Sequence, residues 1–374
     1  MNLKQNLVFV SSFLLLSSPF SVKADIGEQA QLHYHGGLNL IGQTTPLLNS
    51  GLTASADFWT HYQAKNYSVK LHIEGSTAPE PNTVASELKY SNADSGTALN
   101  KYGDGRIQIS ELFGEYYMSQ KNQLILGLMD ASSWLDISQI SNDENHHFIA
   151  AAFTGNLTID FPDYAPAVGV ILKPRTNVKG TFYISSAQGL ADNQQKSYEA
   201  LLDTPDDKDG AFIATEGRLG KESAFISIGV WAHTGPHKSL KAPTEDNLTN
   251  YGIYSVLSKQ FNQSTLESRI GYTNPEVSTI TEFYSLTYQL KTYSIYPRSR
   301  YGLGVSHAIT SPYLPAEKKP SNRTTLETYW AFPIHKHIEI TPSLQLFKPP
   351  FTDNPTLQSE SDVWVANLRI YSHF

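Results

Sequence analysis

The sequence contains no cysteine. That excludes disulfides, thiolate metal sites and cysteine nucleophiles. Beyond its first residues it has no run of roughly 18 apolar residues, so no helix of the mature chain is expected to cross a bilayer. Positive charge is not in excess: 28 Lys and Arg stand against 35 Asp and Glu. That balance argues against nucleic acid as a partner. No Gly-x-Ser-x-Gly elbow, phosphate loop or dinucleotide fingerprint occurs, so none of the common nucleophile or nucleotide chemistries is signalled.

What is present begins with a targeting segment. Lys4 gives a positive start, and an apolar stretch runs from Leu7 to about Ser18 around Phe13, Leu14, Leu15 and Leu16. Val22 and Ala24 fit the small-residue cleavage rule, so residues 1–24 read as a secretory signal peptide. The mature chain would then be residues 25–374, a single domain. It is two units more negative than the full chain once Lys4 and Lys23 leave.

The remaining residues alternate. In Tyr67-Ser-Val-Lys-Leu-His-Ile-Glu74 one parity is apolar and the other carries Ser68, Lys70, His72 and Glu74. The stretches from Ala224 to His233 and from His337 to Leu346 behave alike. A period of two means strands with one apolar and one polar face. About sixteen are expected, near 31–41, 52–64, 67–77, 107–118, 122–129, 167–174, 177–187, 211–219, 223–235, 249–261, 264–273, 281–290, 300–309, 323–333, 337–347 and 363–374. Links after even-numbered strands are mostly tight, as at Lys65-Asn66, Asn262-Gln263 and His335-Lys336. Links after odd-numbered strands are mostly long: 78–106, 130–166, 188–210, 236–248, 310–322 and 348–362. Short turns at one end and long loops at the other mark an all-β, antiparallel transmembrane barrel. A closed sheet pairs every backbone N–H and C=O without water and has no edge. Its apolar parity would face lipid and its polar parity an aqueous lumen. In the last segment Trp364, Ala366, Leu368, Ile370 and Phe374 share one parity, and the chain ends on Phe374. A terminal aromatic closing an amphipathic strand reads as an outer-membrane assembly signal.

Several stretches resemble the carbohydrate-selective porins of OprB type. They are Ile109-Ser-Glu-Leu-Phe-Gly-Glu-Tyr-Tyr117 followed by Leu124-Ile-Leu-Gly-Leu-Met-Asp130, then Phe148 through Phe161-Pro162 and Pro166-Ala-Val-Gly-Val170. Later come Tyr301-Gly-Leu-Gly-Val305, Thr325-Leu-Glu-Thr-Tyr-Trp330 and Ile338-Glu-Ile-Thr-Pro-Ser-Leu-Gln345 before Pro349-Pro350. The resemblance covers most of the mature chain in order. It departs at Thr341-Pro-Ser-Leu-Gln-Leu346 and at Thr352-Asp-Asn-Pro-Thr356, where the family has other patterns. It implies a passive outer-membrane pore for small hydrophilic solutes, sugars among them, reached through the outer-membrane assembly machinery and surrounded by lipid.

A pore needs a constriction rather than a catalytic residue. The 130–166 link carries Asp130, Asp136, Asp143, Glu144, Asp160 and Asp163 and no Lys or Arg. It is either a solvated surface loop or, as the third long loop of sixteen-stranded porins does, it enters the lumen. Charges on the inward parity are Lys70, His72, Glu74, Glu111, Glu115, Glu216, Arg218, Glu267, Arg269, Glu327, Glu339 and Arg369. Facing lipid they would cost ~2–4 kcal/mol each for Arg or Lys at mid-bilayer, so they face water or one another. The expectation is an acidic loop opposed by an arc of Arg218, Arg269 and Arg369, setting a transverse field. Tyr117, Trp134 and Trp231 are candidate faces for sugars. No cofactor and no metal site is expected. Asn100–Glu111 only partly matches a calcium loop, and the pairs His33/His35, His146/His147 and His335/His337 have no third ligand nearby in sequence. The alternatives are a general porin, a barrel enzyme, which Ser227 and His233 on the lumen parity argue against, and a soluble β-sandwich binder. Monomer and homotrimer both stay open.

Overall fold

The computed structural model describes residues 30–374 apart from 120, 194, 202–209, 243, 293–295 and 315–321. The expected signal segment, 1–24, lies outside the described residues. Sixteen strands are described: β1 (Gln31–Thr45), β2 (Leu48–Gln63), β3 (Tyr67–Ser76), β4 (Ile107–Tyr117), β5 (Gln123–Met129), β6 (Ala165–Arg175), β7 (Val178–Ser186) and β8 (Ala211–Lys221), then β9 (Ala224–His237), β10 (Leu248–Phe261), β11 (Ser264–Thr273), β12 (Ile280–Thr292), β13 (Ser299–Thr310), β14 (Arg323–His335), β15 (Ile338–Lys348) and β16 (Val363–His373). Each pairs antiparallel with its chain neighbours, and β1 closes on β16 from Gly37↔His373 to Thr44↔Ala366. The result is the expected closed barrel of sixteen strands. One-turn helices at Val84–Glu87, Ala151–Thr154 and Pro355–Gln358 lie in the long links.

The burial pattern is inverted relative to a water-soluble protein. Leu126 is 59% exposed, whereas Arg269 is 2% exposed. Along β9, Ile226, Ile228 and Val230 point outward while Phe225, Ser227 and Trp231 are buried. The strand period therefore sorts apolar side chains to the outside and polar ones to the interior. That is stable only if the outside is not water. No helix among the described residues is long and apolar enough to cross a membrane, so any crossing is by strands.

The two ends of the barrel differ. Tight turns join β6 to β7, β8 to β9, β10 to β11 and β14 to β15, each with two residues between strands. The long links, 77–106, 130–164 and 349–362 among them, lie at the other end. One connection departs from the expected long-loop pattern. β1 runs on to Thr45 and β2 starts at Leu48, so a tight hairpin replaces the expected gap of 42–51. The polar sequence there hid a strand extension whose side chains are packed by a neighbouring loop: Asn92 bonds Gln43 and Thr53.

Inside the wall, bulky rings are seated on glycines of the neighbouring strand. Tyr254 is the cross-strand partner of Gly229, where a Cβ would come within 2.2 Å of its ring. Tyr329 lies in the same way over Gly302. A side chain at either glycine would lift the ring into the lumen. The barrel seam ends on Phe374, whose N–H donates to the Gly36 carbonyl at 3.1 Å and whose ring stacks with Phe58 at 6.5 Å between centroids.

Deletion of Phe374, or Phe374→Asp, is expected to reduce the folded, heat-modifiable barrel recovered in the membrane fraction. Unchanged recovery would rule out a role of the terminal aromatic in assembly.

Candidate functional site

The link between β5 and β6, residues 130–164, does not project from the barrel. It folds into the lumen and is held there by the wall charges. Irregular backbone at membrane depth carries N–H and C=O groups with no ladder to join, and these must be paired. Wall carboxylates take the N–H groups. Glu216 of β8 accepts from the Asp136 N–H at 3.0 Å, and Glu267 of β11 from those of Gln139 and Ile140 at 2.5 and 3.1 Å. Glu327 of β14 accepts from Ile149 and Ala150 at 3.0 and 2.8 Å, and Glu111 of β4 from Asp130 at 2.9 Å. Wall guanidiniums take the carbonyls. Arg269 donates to Phe153 O and Asp136 O, both at 3.1 Å, and to Ser141 O. Arg218 donates to Ile137 O at 2.8 Å, Arg369 to His147 O at 2.8 Å and to Glu144 O. Arg269 also pairs with the Asp136 carboxylate at 3.1 Å.

This corrects the expected division between loop and arc. Arg218, Arg269 and Arg369 do not face the acidic loop across open water. They lie under it, the last two at most 2% exposed, and each donates to loop carbonyls. The loop backbone presents a row of acceptors, and backbone carbonyls do not show in a count of side-chain charge. Glu115 is placed differently, near the short-turn end, where it accepts from Lys70, Ser68 and Tyr117.

Apolar contacts complete the anchoring. Trp134 of the loop packs edge-on against Phe113 at 5.7 Å, and Phe161 meets Phe212, which stacks on Trp231. Trp134 and Trp231 are therefore 9% and 3% exposed, and neither offers a face to a solute. Tyr117 is half-buried, with its hydroxyl on Glu115. Gly271 of β11 and Gly304 of β13 leave room where the loop touches the wall: a Cβ would meet Thr158 at 2.0 Å and Phe153 at 2.9 Å. The 77–106 link leans in beside the loop. Its Asp94 accepts from Asn39 and Ser55, and Ala93 N–H donates to Ile149 O.

With the loop pressed against β8–β16, a lumen cavity of about 700 Å³ remains toward β2, β3 and β4. Its lining includes the carboxylates of Asp57, Glu74, Asp94, Glu111, Asp130, Asp136, Asp143 and Glu144, and no Lys or Arg. Asp57 and Glu74 are direct cross-strand partners. Like charges so placed are destabilising. Asp57 shares a 2.7 Å contact with His72, and Glu74 accepts from Ser110 at 2.6 Å. His72 also stacks on Trp59 at 3.5 Å between centroids and 6° between planes, and Trp59 in turn stacks with His35 at 6.0 Å. The register His35↔Trp59↔His72↔Glu111 makes one row across four strands. Asp57 and Trp59 were missed in the sequence. The signal was there, because Ser55, Asp57 and Trp59 share the polar parity of β2.

On the loop, Asp143 and Glu144 differ in their ionisation. Burial works against the charge of Asp143, but the hydrogen bond from His146 and the fields of His147 and Arg369 hold its carboxyl well below the ordinary range. Glu144 is raised to about 7, by burial first and then by the carboxylates of Asp143, Asp57 and Glu74.

The remaining sequence candidates resolve simply. Asn100 caps a tight turn by accepting from Tyr102 and Asp104, and Glu111 is committed elsewhere, so no calcium loop forms. None of the three adjacent histidine pairs belongs to a trio of ligand atoms at metal distance among the described residues. Such a trio does occur at Asp160, His233 and His237. Ser227 accepts from Arg218, while His233 bonds Ala187 O, so the two do not form a nucleophile–base pair.

No family model and no curated protein matches the sequence. Solved structures do match the fold. The chain is similar to Pseudomonas putida OprB in its high-pH structure, with TM-score 0.69 and 12% identity over 92% of this chain and 94% of that one. It is similar to an anion-selective porin from Comamonas acidovorans (TM-score 0.56, 11% identity, 92% and 100% covered). A third is the trimer form of OmpT, an outer-membrane protein of Vibrio cholerae (TM-score 0.57, 9% identity, 93% and 100% covered). The shared feature is the sixteen-stranded porin fold.

Arg269→Met should release the loop. Removing one partner of a buried charged network costs about 3–5 kcal/mol, so the temperature at which the barrel loses its compact gel migration is expected to fall. Single-channel current through the variant should rise or flicker. An unchanged melting temperature with unchanged current would mean that the loop does not depend on this anchor.

Proposed function

We propose that the chain is an outer-membrane porin through which small hydrophilic solutes diffuse, with a preference for cations. The observation that carries this is the lumen cavity lined by eight acidic side chains and no Lys or Arg, with His72 beside Asp57 and with Asp136 already paired to Arg269. Fixed charges of one sign in a narrow aqueous bore walled by low-dielectric protein set a potential of several kT. The likeness in fold to porins and the apolar outer belt support a place in the outer membrane, reached by a cleaved signal. Fold alone does not set the sign of selectivity, since the Comamonas acidovorans neighbour is described as anion-selective. The sign follows from the lining side chains. The wall charges that would have balanced the lumen are withdrawn: Arg269 and Arg369 lie beneath the loop. Nothing in the lining resembles a catalytic pairing, and diffusion requires none. A trimer, as in the form described for OmpT, is the assembly this reading favours.

A second reading, that the pore favours sugars, rests on the row of rings formed by His35, Trp59 and His72. His72 is buried against one face of Trp59, so the half-buried Trp59 is the ring of this row that a sugar would meet, with the neighbouring carboxyl groups as acceptors for its hydroxyls. Trp59 takes the role expected of Trp134 and Trp231.

Reversal potentials across planar bilayers test both. Asp57→Asn with Glu74→Gln should lower cation preference by roughly two- to fivefold. Glu144 adds a pH dependence whose sign follows from its raised value. Its carboxyl is neutral below about pH 7 and charged above it, so cation preference should grow between about pH 6 and pH 8, and Glu144→Gln should reduce that rise, the remainder coming from other lining carboxyl groups that burial raises, Asp136 (about 6) among them. Selectivity insensitive to all three carboxylates would discard the cation reading. Trp59→Ala should weaken the block of ion current by added sugars. Equal block in the variant, or none in the parent, would discard the sugar reading.

A further inference from the structure

The inward loop returns to the wall at a second kind of contact, distinct from the backbone capture described above. Asp160, near the end of the loop, meets His233 and His237 at the long-loop end of β9. The Asp160 Oδ2 lies 2.7 Å from His237 Nε2 and 3.6 Å from His233 Nδ1, and the two ring nitrogens are 3.1 Å apart. The other nitrogen of each ring is already used. His233 Nε2 is 2.7 Å from Ala187 O, and His237 Nδ1 is 2.7 Å from Gly235 O and 3.2 Å from Leu248 O.

Carbonyls only accept, so each of those outer nitrogens must carry its proton. The inner nitrogens of the neutral rings are then both lone pairs, facing each other and a carboxylate. Three electron-rich atoms then converge, with only the Asn250 amide donating to the Asp160 Oδ2, at 3.1 Å, and the arrangement calls for a positive charge: a metal ion at its centre or a proton on one ring. A histidine whose outer N–H is tied to a backbone carbonyl is the usual metal-ligating form, since the tie fixes tautomer and ring direction. Donor atoms around a tetrahedral zinc ion at about 2.0–2.1 Å lie ~3.4 Å from one another, and the three separations bracket that value. Beside the trio lies a polar cavity of about 240 Å³, lined by Asp160, His237, Asn250 and Ser278, with room for a water as fourth ligand. Two imidazoles and one carboxylate suit zinc, and copper or nickel less selectively.

We propose that Asp160, His233 and His237 bind one divalent transition-metal ion, zinc by the chemistry of the donors. Bound there, the ion ties the constriction loop to β9. The site therefore acts as a clasp on the bore rather than as a catalytic centre, and it does not depend on which solute the pore passes. The three ligands lie 73 and four residues apart in sequence, and the alternative source of positive charge is a proton on one of the histidines.

The test uses the folded full-length barrel in detergent, stripped with a chelator and titrated with Zn²⁺ or Co²⁺ alone. One equivalent should bind, and Co²⁺ should give the visible absorption of a tetrahedral site. His237→Ala and Asp160→Asn should each weaken binding at least about tenfold, whereas His335→Ala with His337→Ala at the other end of the barrel should not. X-ray absorption of the zinc-loaded parent needs no variant: two nitrogen scatterers with oxygen at about 2.0–2.1 Å are expected. No uptake by the parent would overturn the proposal and assign the charge to a proton. An all-oxygen shell would also overturn it, as would full binding by a folded His233→Ala, His237→Ala double variant.

Discussion

The structure depends on one constraint: backbone N–H and C=O groups that cannot reach water must be paired inside the chain. In the wall the sheet satisfies it by closing, with β1 bonded to β16. Inside the wall the same requirement returns in another form, because the 130–164 link carries irregular backbone through the lumen. There the partners are ionised side chains. Glutamates of β4, β8, β11 and β14 accept from loop N–H groups, and arginines of β8, β11 and β16 donate to loop carbonyls. Hydrogen bonds with one ionised partner are stronger than neutral ones. The charges that look like pore-lining groups are therefore mostly structural.

That use of charge shapes the electrostatics of what is left. The arginines are covered by the segment they hold, and the acidic side chains of that segment, with Asp57 and Glu74 of the facing wall, dominate the free lumen. The asymmetry of the lumen comes from both sides, the acidic loop and the wall carboxyl groups Asp57, Glu74 and Glu111. The loop position fixes the bore, and the bore fixes which charges a solute meets. The glycines at Gly271 and Gly304 belong to the same arrangement, since the loop could not lie against β11 and β13 if those positions carried side chains.

The lumen breaks local rules where it faces water. Asp57 opposes Glu74 across two strands, a pairing that costs stability, and the row from His35 to Glu111 sets rings and a carboxylate side by side. Local conflicts of this kind are expected at functional positions. In the anchored part of the lumen each of Glu216, Glu267, Arg269, Glu327 and Arg369 has at least one partner on the loop backbone.

How much of this was legible beforehand follows from the range of each interaction. The period-two pattern is local, so the sixteen strands, their inward and outward faces and the tight turns could be read directly from residues such as Ile226, Ile228 and Val230. The first hairpin was the exception, because Gln43 and Thr53 are polar and are packed by a distant loop. The inward parity of Glu216, Arg218, Glu267, Arg269, Glu327 and Arg369 was equally local, and so was the acidity of the 130–164 link. What those charges bind was not, because their partners are mostly backbone groups more than a hundred residues away, which leave no trace in side-chain chemistry. Trp134 and Trp231 looked like open faces only until Phe113 and Phe212 were brought against them. The convergence of Asp160 with His233 and His237 likewise exists only once the loop has returned to β9. The sequence by itself determined a barrel and the sign of its faces, because both follow from alternation along one strand. The tertiary structure alone decided which charges meet the solute, because that depends on where the loop's unpaired backbone finds partners.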